Sequence, residues 1–498
     1  MPPVISIAFP RRRIGLPLIA IIYSLTLFSA SDALGQSSGG VCLRTITADV
    51  VALDQPFFWN RLGVSQPQGM MFALLEDVVG LDGGAPSAGN VRLRDGKRPR
   101  PIVLRMNAGD CLEIHFQNFL SASRVNLAQP ATRTASIRAM GMQLVNSIMD
   151  DGSYVGANEN SLAAPGSGAT YTFFAEREGT HHLYSAAATI GGEGDGGSLS
   201  AGLFGAINVQ PQGAEWYRSQ VSRSDLDLAT FDFTLAGHPI IDYDAIYPAG
   251  HPLAGRPIFK MLDAGFQIRH TDLTAIITGP GRGNFPPGTY TPNPIYPDRH
   301  QPFREFTIIY HGEIGAVQAY SLFTDPVMAH TLGSVVDGFA INYGSGGIGA
   351  EIISNRFGVG PMWDCNECKY EEFFLSAWAM GDPAMVVDIP ANADQTGDGT
   401  VTPGPKATMA YYPDDPSNVY HSYIGDHVKF RLSHGGPKEE HLHHLHAHQW
   451  LYSPDSDNSA YLDSQAIGPG SAYTLEIPYR GSGNRNQTVG DSIFHCHF

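Results

Sequence analysis

Charge is scarce in this sequence. Charged residues make up 16% of the 498 residues, and the 31 Lys and Arg are outnumbered by 48 Asp and Glu. With a formal net charge of −17 no basic face is available to replace the counterions of a nucleic acid, which disfavours a nucleic-acid partner. Beyond the N-terminal region no apolar run reaches the roughly 20 residues that span a bilayer, so no stable membrane span is expected in the mature chain.

Turn-forming residues are abundant by contrast, with 56 Gly and 35 Pro, and this argues against a helical bundle or a coiled coil. Short β-rich runs bounded by turn clusters predict an all-β protein of the sandwich or barrel type. The clearest predicted strands cover residues 45–53, 102–106, 111–116, 170–175, 203–209, 231–235, 273–277, 306–311, 428–432 and 473–478.

The N-terminus has the pattern of an export signal. Three arginines at 11–13 precede a 15-residue apolar run at 14–28, and small residues follow at 33–35. The run is too short for a permanent anchor. We predict a signal peptide over residues 1–35 and a periplasmic or extracellular protein; a twin-arginine export route stays open.

Three units are predicted after the signal peptide. They cover residues 36–213, residues 214–404 with long loop insertions, and residues 405–498, which carry the histidine motifs described below.

Five cysteines, an odd number, leave at least one outside a disulfide in an oxidising compartment, and Cys496 is the candidate. Cys42 and Cys111 open two predicted strands of the same unit, so a disulfide between them is plausible. Cys365 and Cys368 form a Cys-x-x-Cys pair that could be redox-active, metal-binding or a structural loop bridge; the structural interpretation is favoured.

Histidines are concentrated in EHLHHLHAHQW, which contains His441, His444 and His446, and in the tripeptide His495-Cys496-His497. Neighbouring side chains of a strand point to opposite faces. His495 and His497 therefore share one face and Cys496 takes the other, while His444 and His446 share a face opposite His441. If the two strands pair, four imidazoles meet on one side, and a thiolate meets an imidazole on the other.

A thiolate with imidazoles suits a mononuclear blue copper, and several imidazoles without carboxylates suit copper that handles oxygen, so copper is favoured over zinc. A His-rich surface strand that binds divalent metal loosely is the alternative interpretation. For other histidines, such as His181, His182, His421, His427 and His434, a structural role is the default.

These motifs resemble the multicopper oxidase family, whose last domain carries H-x-x-H-x-H followed on a later strand by H-C-H. The resemblance implies that His441 and Cys496 bind type 1 copper and that His444 binds type 2 copper. It further implies that the type 3 pair is bound by His446, His495 and His497. His495, Cys496 and His497 are then the catalytic residues, because they connect the two sites.

The resemblance extends over most of the chain, through RPIVLRMNAGDCLEIHFQN (residues 100–118), SIRAMGMQL, GTHHLYS, GLFGAINVQP and VKFRLSHGGPKEEH. It implies tandem cupredoxin-like (plastocyanin-type) Greek-key β-sandwiches, the last one incomplete. The HLHAHQW and SGNRN…GDSIFHCHF segments are most similar to large bacterial members associated with manganese oxidation.

Two departures from the family pattern concern the copper ligands. Where the family's first domain has H-x-H pairs, this chain has Arg138-Ala139-Met140 and Tyr184-Ser185-Ala186. The second type 1 histidine expected after the H-C-H motif is also missing, because the sequence ends at Phe498. We expect the chain to be the N-terminal part of a longer polypeptide whose later domains supply the missing ligands. The alternatives are a truncated gene product and a site completed by another subunit.

The predicted function is one-electron oxidation of a reductant at type 1 copper, coupled to dioxygen reduction at a trinuclear cluster. The reductant is a small molecule or a metal ion such as Mn(II) or Fe(II); phenolic or other organic compounds remain possible. The alternative is a non-enzymatic extracytoplasmic copper-binding protein of cupredoxin fold.

Overall fold

The computed structural model describes residues 41–58, 64–188, 196–235, 237–279, 302–315, 317–318, 338–344, 420–422, 426–454, 456, 458–477, 492 and 494–497. The predicted signal peptide and the Cys365/Cys368 pair lie outside these residues. Within them, no helix is long and apolar enough to cross a membrane.

Strands dominate the described chain, and the all-β prediction is confirmed. The N-terminal strands are β1 (Thr45–Asp54), β2 (Phe57–Phe58), β3 (Val64–Gln66), β4 (Met70–Leu74), β5 (Val78–Val79), β6 (Arg92–Leu93), β7 (Ile102–Asn107), β8 (Cys111–Asn118), β9 (Arg138–Ala139), β10 (Gln143–Leu144), β11 (Gly168–Phe174), β12 (Gly179–Tyr184), β13 (Phe204–Gln210) and β14 (Glu215–Tyr217).

The later strands, in chain order, are β15 (Thr230–Phe233), β16 (Pro239–Ile241), β17 (Thr274–Thr278), β18 (Phe303–Ile314), β19 (Val317–Gln318), β20 (Gly338–Ile341), β21 (Val428–His434), β22 (His441–Leu445), β23 (Trp450–Leu451), β24 (Tyr461–Leu462), β25 (Ser464–Ile467), β26 (Ala472–Ile477) and β27 (Phe494–Cys496). Two short α-helices, α1 (Gly197–Ala201) and α2 (Arg223–Ala229), and two 3₁₀ turns at Leu75–Asp77 and Ile148–Asp151 complete the described elements.

The first sandwich consists of two sheets with the strand orders β10-β11-β8-β1-β4 and β7-β13-β12-β9. Apolar and polar residues alternate along β8, so Leu112, Ile114 and Phe116 enter the shared core while His115 and Gln117 face out. A disulfide joins Cys42 to Cys111 at the edge of this core, with a Cα–Cα distance of 5.3 Å. The disulfide considered plausible from the sequence is present.

The second sandwich has a main sheet of order β14-β17-β18-β21-β26, with β20 paired to β18. Its core is closed by the small sheet β25-β22-β27. Strand β18 lies in the predicted second unit and β21 in the predicted third, yet they pair in parallel, with Arg304 opposite Val428. One sheet therefore contains strands from both sides of the predicted 404/405 boundary; the division into three units stays a prediction.

The two sandwiches repeat one strand arrangement. In the first, β1 runs parallel to β8, and β4 and β11 flank them antiparallel. In the second, β18 runs parallel to β21, and β20 and β26 flank them in the same way. The antiparallel pairs β9–β12 and β22–β27 take the same place in the two chain orders. The histidine motifs of the second sandwich thus correspond to Arg138–Ala139 and Gly179–Tyr184 of the first.

The first sandwich packs against strand β21. The three alternate residues Val428, Phe430 and Leu432 fill the second core, and the side chains between them face the other way. Arg431 there reaches Gln210 of β13 at 3.0 Å, and Ser433 lies 3.2 Å from His182 of β12. This contact fixes the position of the second sandwich, which contains β22 and β27.

Candidate metal centre

Strands β22 and β27 are antiparallel neighbours. His443 lies opposite Cys496 and His444 opposite His495. Residues directly opposite each other in an antiparallel pair project to the same face. The pairing therefore separates the motif into a face that carries Cys496 and a face that carries His495.

On the thiolate face, Cys496 Sγ lies 3.6 Å from Nδ1 of His441. The backbone N–H of Leu442 donates to the same sulfur at 3.4 Å. The ring of Tyr310 stacks on His441 at a centroid distance of 5.3 Å, and Phe339 approaches at 5.1 Å. Cys496 is also the cysteine that forms no disulfide among the described residues. The sulfur and the imidazole nitrogen can thus act on one ion beside aromatic rings.

Burial keeps the His441 imidazole uncharged. Burial, together with the neighbouring His434, lowers the pKa of His441 to about 4. A neutral imidazole is the form that binds metal, so at neutral pH no proton has to be removed from this ring.

His441 Nε2 and a carboxylate oxygen of Glu439 both lie close to Gly312. His441 Nε2 and Glu439 Oε2 are both buried and form no hydrogen bond with described residues. A Cβ placed on Gly312 would stand 2.7 Å from Glu439 Oε2 and 3.7 Å from His441 Nε2. The two atoms therefore converge on one backbone position. Metal-bound histidines usually donate their second N–H to a carboxylate or a carbonyl, and Glu439 is suited to that role.

On the imidazole face, the ligand atoms of His444, His446 and His495 all lie within 4.8 Å of one another. The Nε2 atoms of His446 and His495 are 3.0 Å apart. His444 Nδ1 donates to the carbonyl of Asp463 at 2.8 Å, and His495 Nδ1 donates to the carbonyl of Cys496 at 2.8 Å. Since a carbonyl can only accept, these bonds place the protons on Nδ1 and leave both Nε2 atoms as acceptors.

His497 completes this face at its exposed edge. Its ring centroid lies 4.9 Å from that of His444 and 5.0 Å from that of His495. The structure thus brings four predicted imidazoles together on one side and places Cys496 beside His441 on the other. Metal binding by these six residues stays a prediction.

Other histidines take structural positions. His443 points into the second core, where its Nδ1 lies 3.1 Å from Tyr310 Oη and burial lowers its pKa to about 3. His434 Nε2 donates to the carbonyl of Glu439 at 2.6 Å, and its Nδ1 accepts from Gly436 N–H at 3.0 Å. His182 is buried against Ser433. Tyr310 and Gly312 gave no signal in the sequence, because their proximity to the motif results from the fold.

The corresponding strands of the first sandwich offer other chemistry. Arg138 forms an ion pair with Asp151, and Tyr184 stacks on His182 at 5.4 Å. Neither residue supplies an imidazole.

No protein-family model and no curated protein sequence matches the chain. Among solved structures, a multicopper oxidase is 14% identical, with a TM-score of 0.37, over 91% of this chain and 84% of that one. A blue copper oxidase from Nitrosomonas europaea is 12% identical, with a TM-score of 0.37, over 91% and 79%. A copper nitrite reductase from the same organism is 13% identical, with a TM-score of 0.34, over 87% and 84%. At this distance the likeness carries no argument about chemistry, which rests on the side chains of the chain itself.

Proposed function

We propose that this chain is a copper oxidase of the multicopper type, which couples one-electron oxidation of a reductant to reduction of dioxygen. The proposal rests on how the paired strands β22 and β27 distribute the motif residues between their two faces. Cys496 Sγ stands 3.6 Å from His441 Nδ1 on one face, and three imidazoles converge on the opposite face.

The donor atoms of the thiolate face fit copper. A thiolate with an imidazole in an aromatic setting is typical of blue-copper electron-transfer sites. Cys496 and His441 would hold this copper, which we assign as type 1. The Leu442 N–H bond to Cys496 Sγ tunes the sulfur. Glu439 Oε2 and His441 Nε2 both lie beside Gly312 without a hydrogen bond, and Glu439 is the acceptor that we propose for this nitrogen when copper is bound.

The donor atoms of the imidazole face fit copper that reacts with oxygen, since His444, His446 and His495 converge without a carboxylate. We assign His444 to a type 2 copper and His446, His495 and His497 to a type 3 pair. The bonds from His444 and His495 to backbone carbonyls fix the tautomers that present Nε2. A further domain or subunit supplies the remaining imidazoles.

When bound, the coppers supply the one-electron chemistry and the reduction of oxygen. The chain contributes a short covalent connection, because Cys496 of one face is bonded directly to His495 and His497 of the other. The Tyr310 and Phe339 rings pack on the His441 ring and cover that side of the site.

The reductant is proposed to be a small molecule or a metal ion. The formal charge of −17 favours gathering of cations such as Mn(II) or Fe(II). The disulfide Cys42–Cys111 supports an exported, periplasmic or extracellular location, since disulfides persist in oxidising compartments.

A non-enzymatic copper-binding role is the second candidate. It is favoured by Arg138 and Tyr184, which stand where the first sandwich would otherwise offer imidazoles. Copper-loaded protein supplied with Mn(II), Fe(II) or a phenol separates the two. Oxygen uptake that depends on reductant and copper supports the oxidase, and copper binding without oxygen uptake supports the binder.

A further inference from the structure

The segment 435–440, GGPKEE, connects β21 to β22 and carries the Glu439 carboxylate that lies beside the thiolate site. It begins directly after His434, the last residue of β21, and ends directly before His441, the first residue of β22. Because the segment lies outside both strands, ladder hydrogen bonds do not set its shape. Other bonds must therefore hold Glu439 in place.

The His434 ring holds this segment from inside the fold. Its Nδ1 accepts from the Gly436 N–H at 3.0 Å, and its Nε2–H donates to the Glu439 carbonyl at 2.6 Å. Since a backbone N–H can only donate and a carbonyl can only accept, both nitrogens of a neutral imidazole are satisfied. His434 is fully buried, so bulk water does not compete for either bond.

The same ring packs on the proposed copper ligand His441. The centroids of the His434 and His441 rings are 4.8 Å apart, with an angle of 27° between the ring planes. Glu439 Oε2 and His441 Nε2 both lie beside Gly312. One side chain thus contacts the His441 ring directly and also binds the residue whose carboxylate lies on the Nε2 side of that ring.

Close packing anchors the first part of the segment. A Cβ on Gly435 would stand 2.7 Å from the Phe204 ring, and a Cβ on Gly436 would stand 2.6 Å from the backbone nitrogen of Gly312. Glu439 lies three residues beyond Gly436 and is only half-buried. Loss of the bond to its carbonyl is therefore expected to free Glu439 while the turn at 435–436 keeps its shape.

We propose that His434 is a positioning residue for the thiolate site. Its bond to the Glu439 carbonyl keeps the Glu439 carboxylate beside His441 Nε2 and so strengthens copper binding by His441. The inference rests on the proposed function, which places copper at Cys496 and His441. Loss of a group that supports a metal-bound histidine through its second nitrogen typically lowers metal affinity by about 10–100-fold.

Two substitutions of His434 separate its two bonds. In His434→Asn the short side chain can replace Nδ1 as the acceptor for Gly436, but it cannot reach the Glu439 carbonyl. In His434→Gln the longer amide can replace Nε2 as the donor to that carbonyl. Competition with a chelator, followed by the thiolate–copper absorption, measures copper affinity at this site. We expect about tenfold weaker binding and a shifted absorption in His434→Asn, and nearly wild-type values in His434→Gln.

A double-mutant cycle with Glu439→Ala tests whether His434 acts through Glu439. Glu439→Ala alone is expected to weaken copper binding at the thiolate site by about tenfold. His434→Asn should add little in that background, because both substitutions remove the same contribution. Full additivity of the two losses would show that His434 does not act through Glu439 and would overturn the proposal.

His270→Asn is the matched control. His270 lies in the segment between β16 and β17, and its Nε2 also donates to a backbone carbonyl, that of Pro257, at 2.7 Å. The substitution removes the same kind of bond there and is expected to lower the thermal unfolding midpoint, with copper affinity and absorption unchanged. An equal loss of copper affinity in His270→Asn and His434→Asn would assign the effect to general destabilisation and overturn the proposal.

The wild type distinguishes failure of this inference from failure of the proposed function. A wild type without thiolate–copper absorption contradicts both. Thiolate–copper absorption in the wild type, combined with wild-type copper affinity in His434→Asn, overturns this inference alone. Circular dichroism establishes that each variant is folded. If His434→Asn does not fold, wild-type copper affinity in Glu439→Ala is sufficient to overturn the proposal.

Discussion

Cys496 Sγ and His441 Nδ1 lie 3.6 Å apart although 55 residues separate them in the chain. The pairing of β22 with β27 makes this contact, and the alternation of side chains along both strands keeps it apart from the imidazoles on the other face. One strand pair can in this way serve two metal sites of different chemistry.

Copper binding at the imidazole face can be removed while copper binding at the thiolate face is kept. His446→Ala deletes one of the three converging nitrogens and is expected to lower copper bound at that face, while the absorption of a thiolate–copper site persists. Copper stoichiometry and visible absorption measure the two effects. His238→Ala, at an exposed position on the turn between β15 and β16, is the control. Parallel loss of both signals would contradict the separation of the faces.

The backbone of Gly312 lies close to the Glu439 carboxylate. A Cβ at this position would stand 2.7 Å from Glu439 Oε2, so Gly312→Ala must displace the carboxylate that faces His441. We expect little loss of stability, since only the end of the flexible Glu439 side chain has to move, but a shifted thiolate–copper absorption. Denaturant unfolding and visible spectra provide the readouts. Gly468→Ala, with nothing within 4 Å of its added Cβ, should alter neither.

The disulfide Cys42–Cys111 closes a loop with a sequence separation of 69. Its loss through Cys42→Ser is expected to cost about 2–5 kcal/mol of unfolding free energy, mainly because the unfolded chain regains freedom. Urea unfolding of the variant, compared with wild type before and after reduction, measures this. A variant as stable as the oxidised wild type would show that the bond constrains little.

Glu305 makes the free energy of unfolding depend on pH in the acid range. Burial alone would raise its pKa, but Arg105 and Arg431 lower the pKa to about 2. A carboxyl whose folded pKa lies below its unfolded pKa of about 4.5 contributes stability that is complete above pH 4.5 and is lost as the pH falls toward 2.

Glu305→Gln removes that contribution and leaves two buried guanidiniums short of a partner, so a loss of about 3–5 kcal/mol is expected at neutral pH. The gap in unfolding free energy between variant and wild type should narrow as the pH falls from 4.5 to 2, and denaturant unfolding at each pH measures it. A gap that is constant over this range would exclude Glu305 as the titrating group.

Much of the architecture is visible in local sequence pattern. The run predicted at 45–53 is the strand Thr45–Asp54, and the run at 428–432 is Val428–His434, because alternation of apolar residues is a property of each strand alone. The presence of Cys496 and the histidines on two faces follows from the same alternation once the strands pair.

Long-range partners are not visible in this way. The parallel pairing of Arg304 with Val428 joins segments that composition assigned to different units. The approach of Gly312 to Glu439 and His441 results from packing of distant strands. Helix α2 was missed although Ser222, which accepts from Asp225 N–H at its start, is a recognisable cap.

The most direct test of the central claim is X-ray absorption and visible spectroscopy of the copper-loaded chain, compared with its Cys496→Ser variant. The account predicts copper–sulfur scattering and an intense thiolate–copper absorption in the wild type. Both should be lost in the variant, while nitrogen-bound copper remains at the imidazole face. Copper with only nitrogen and oxygen neighbours in the wild type would contradict the account.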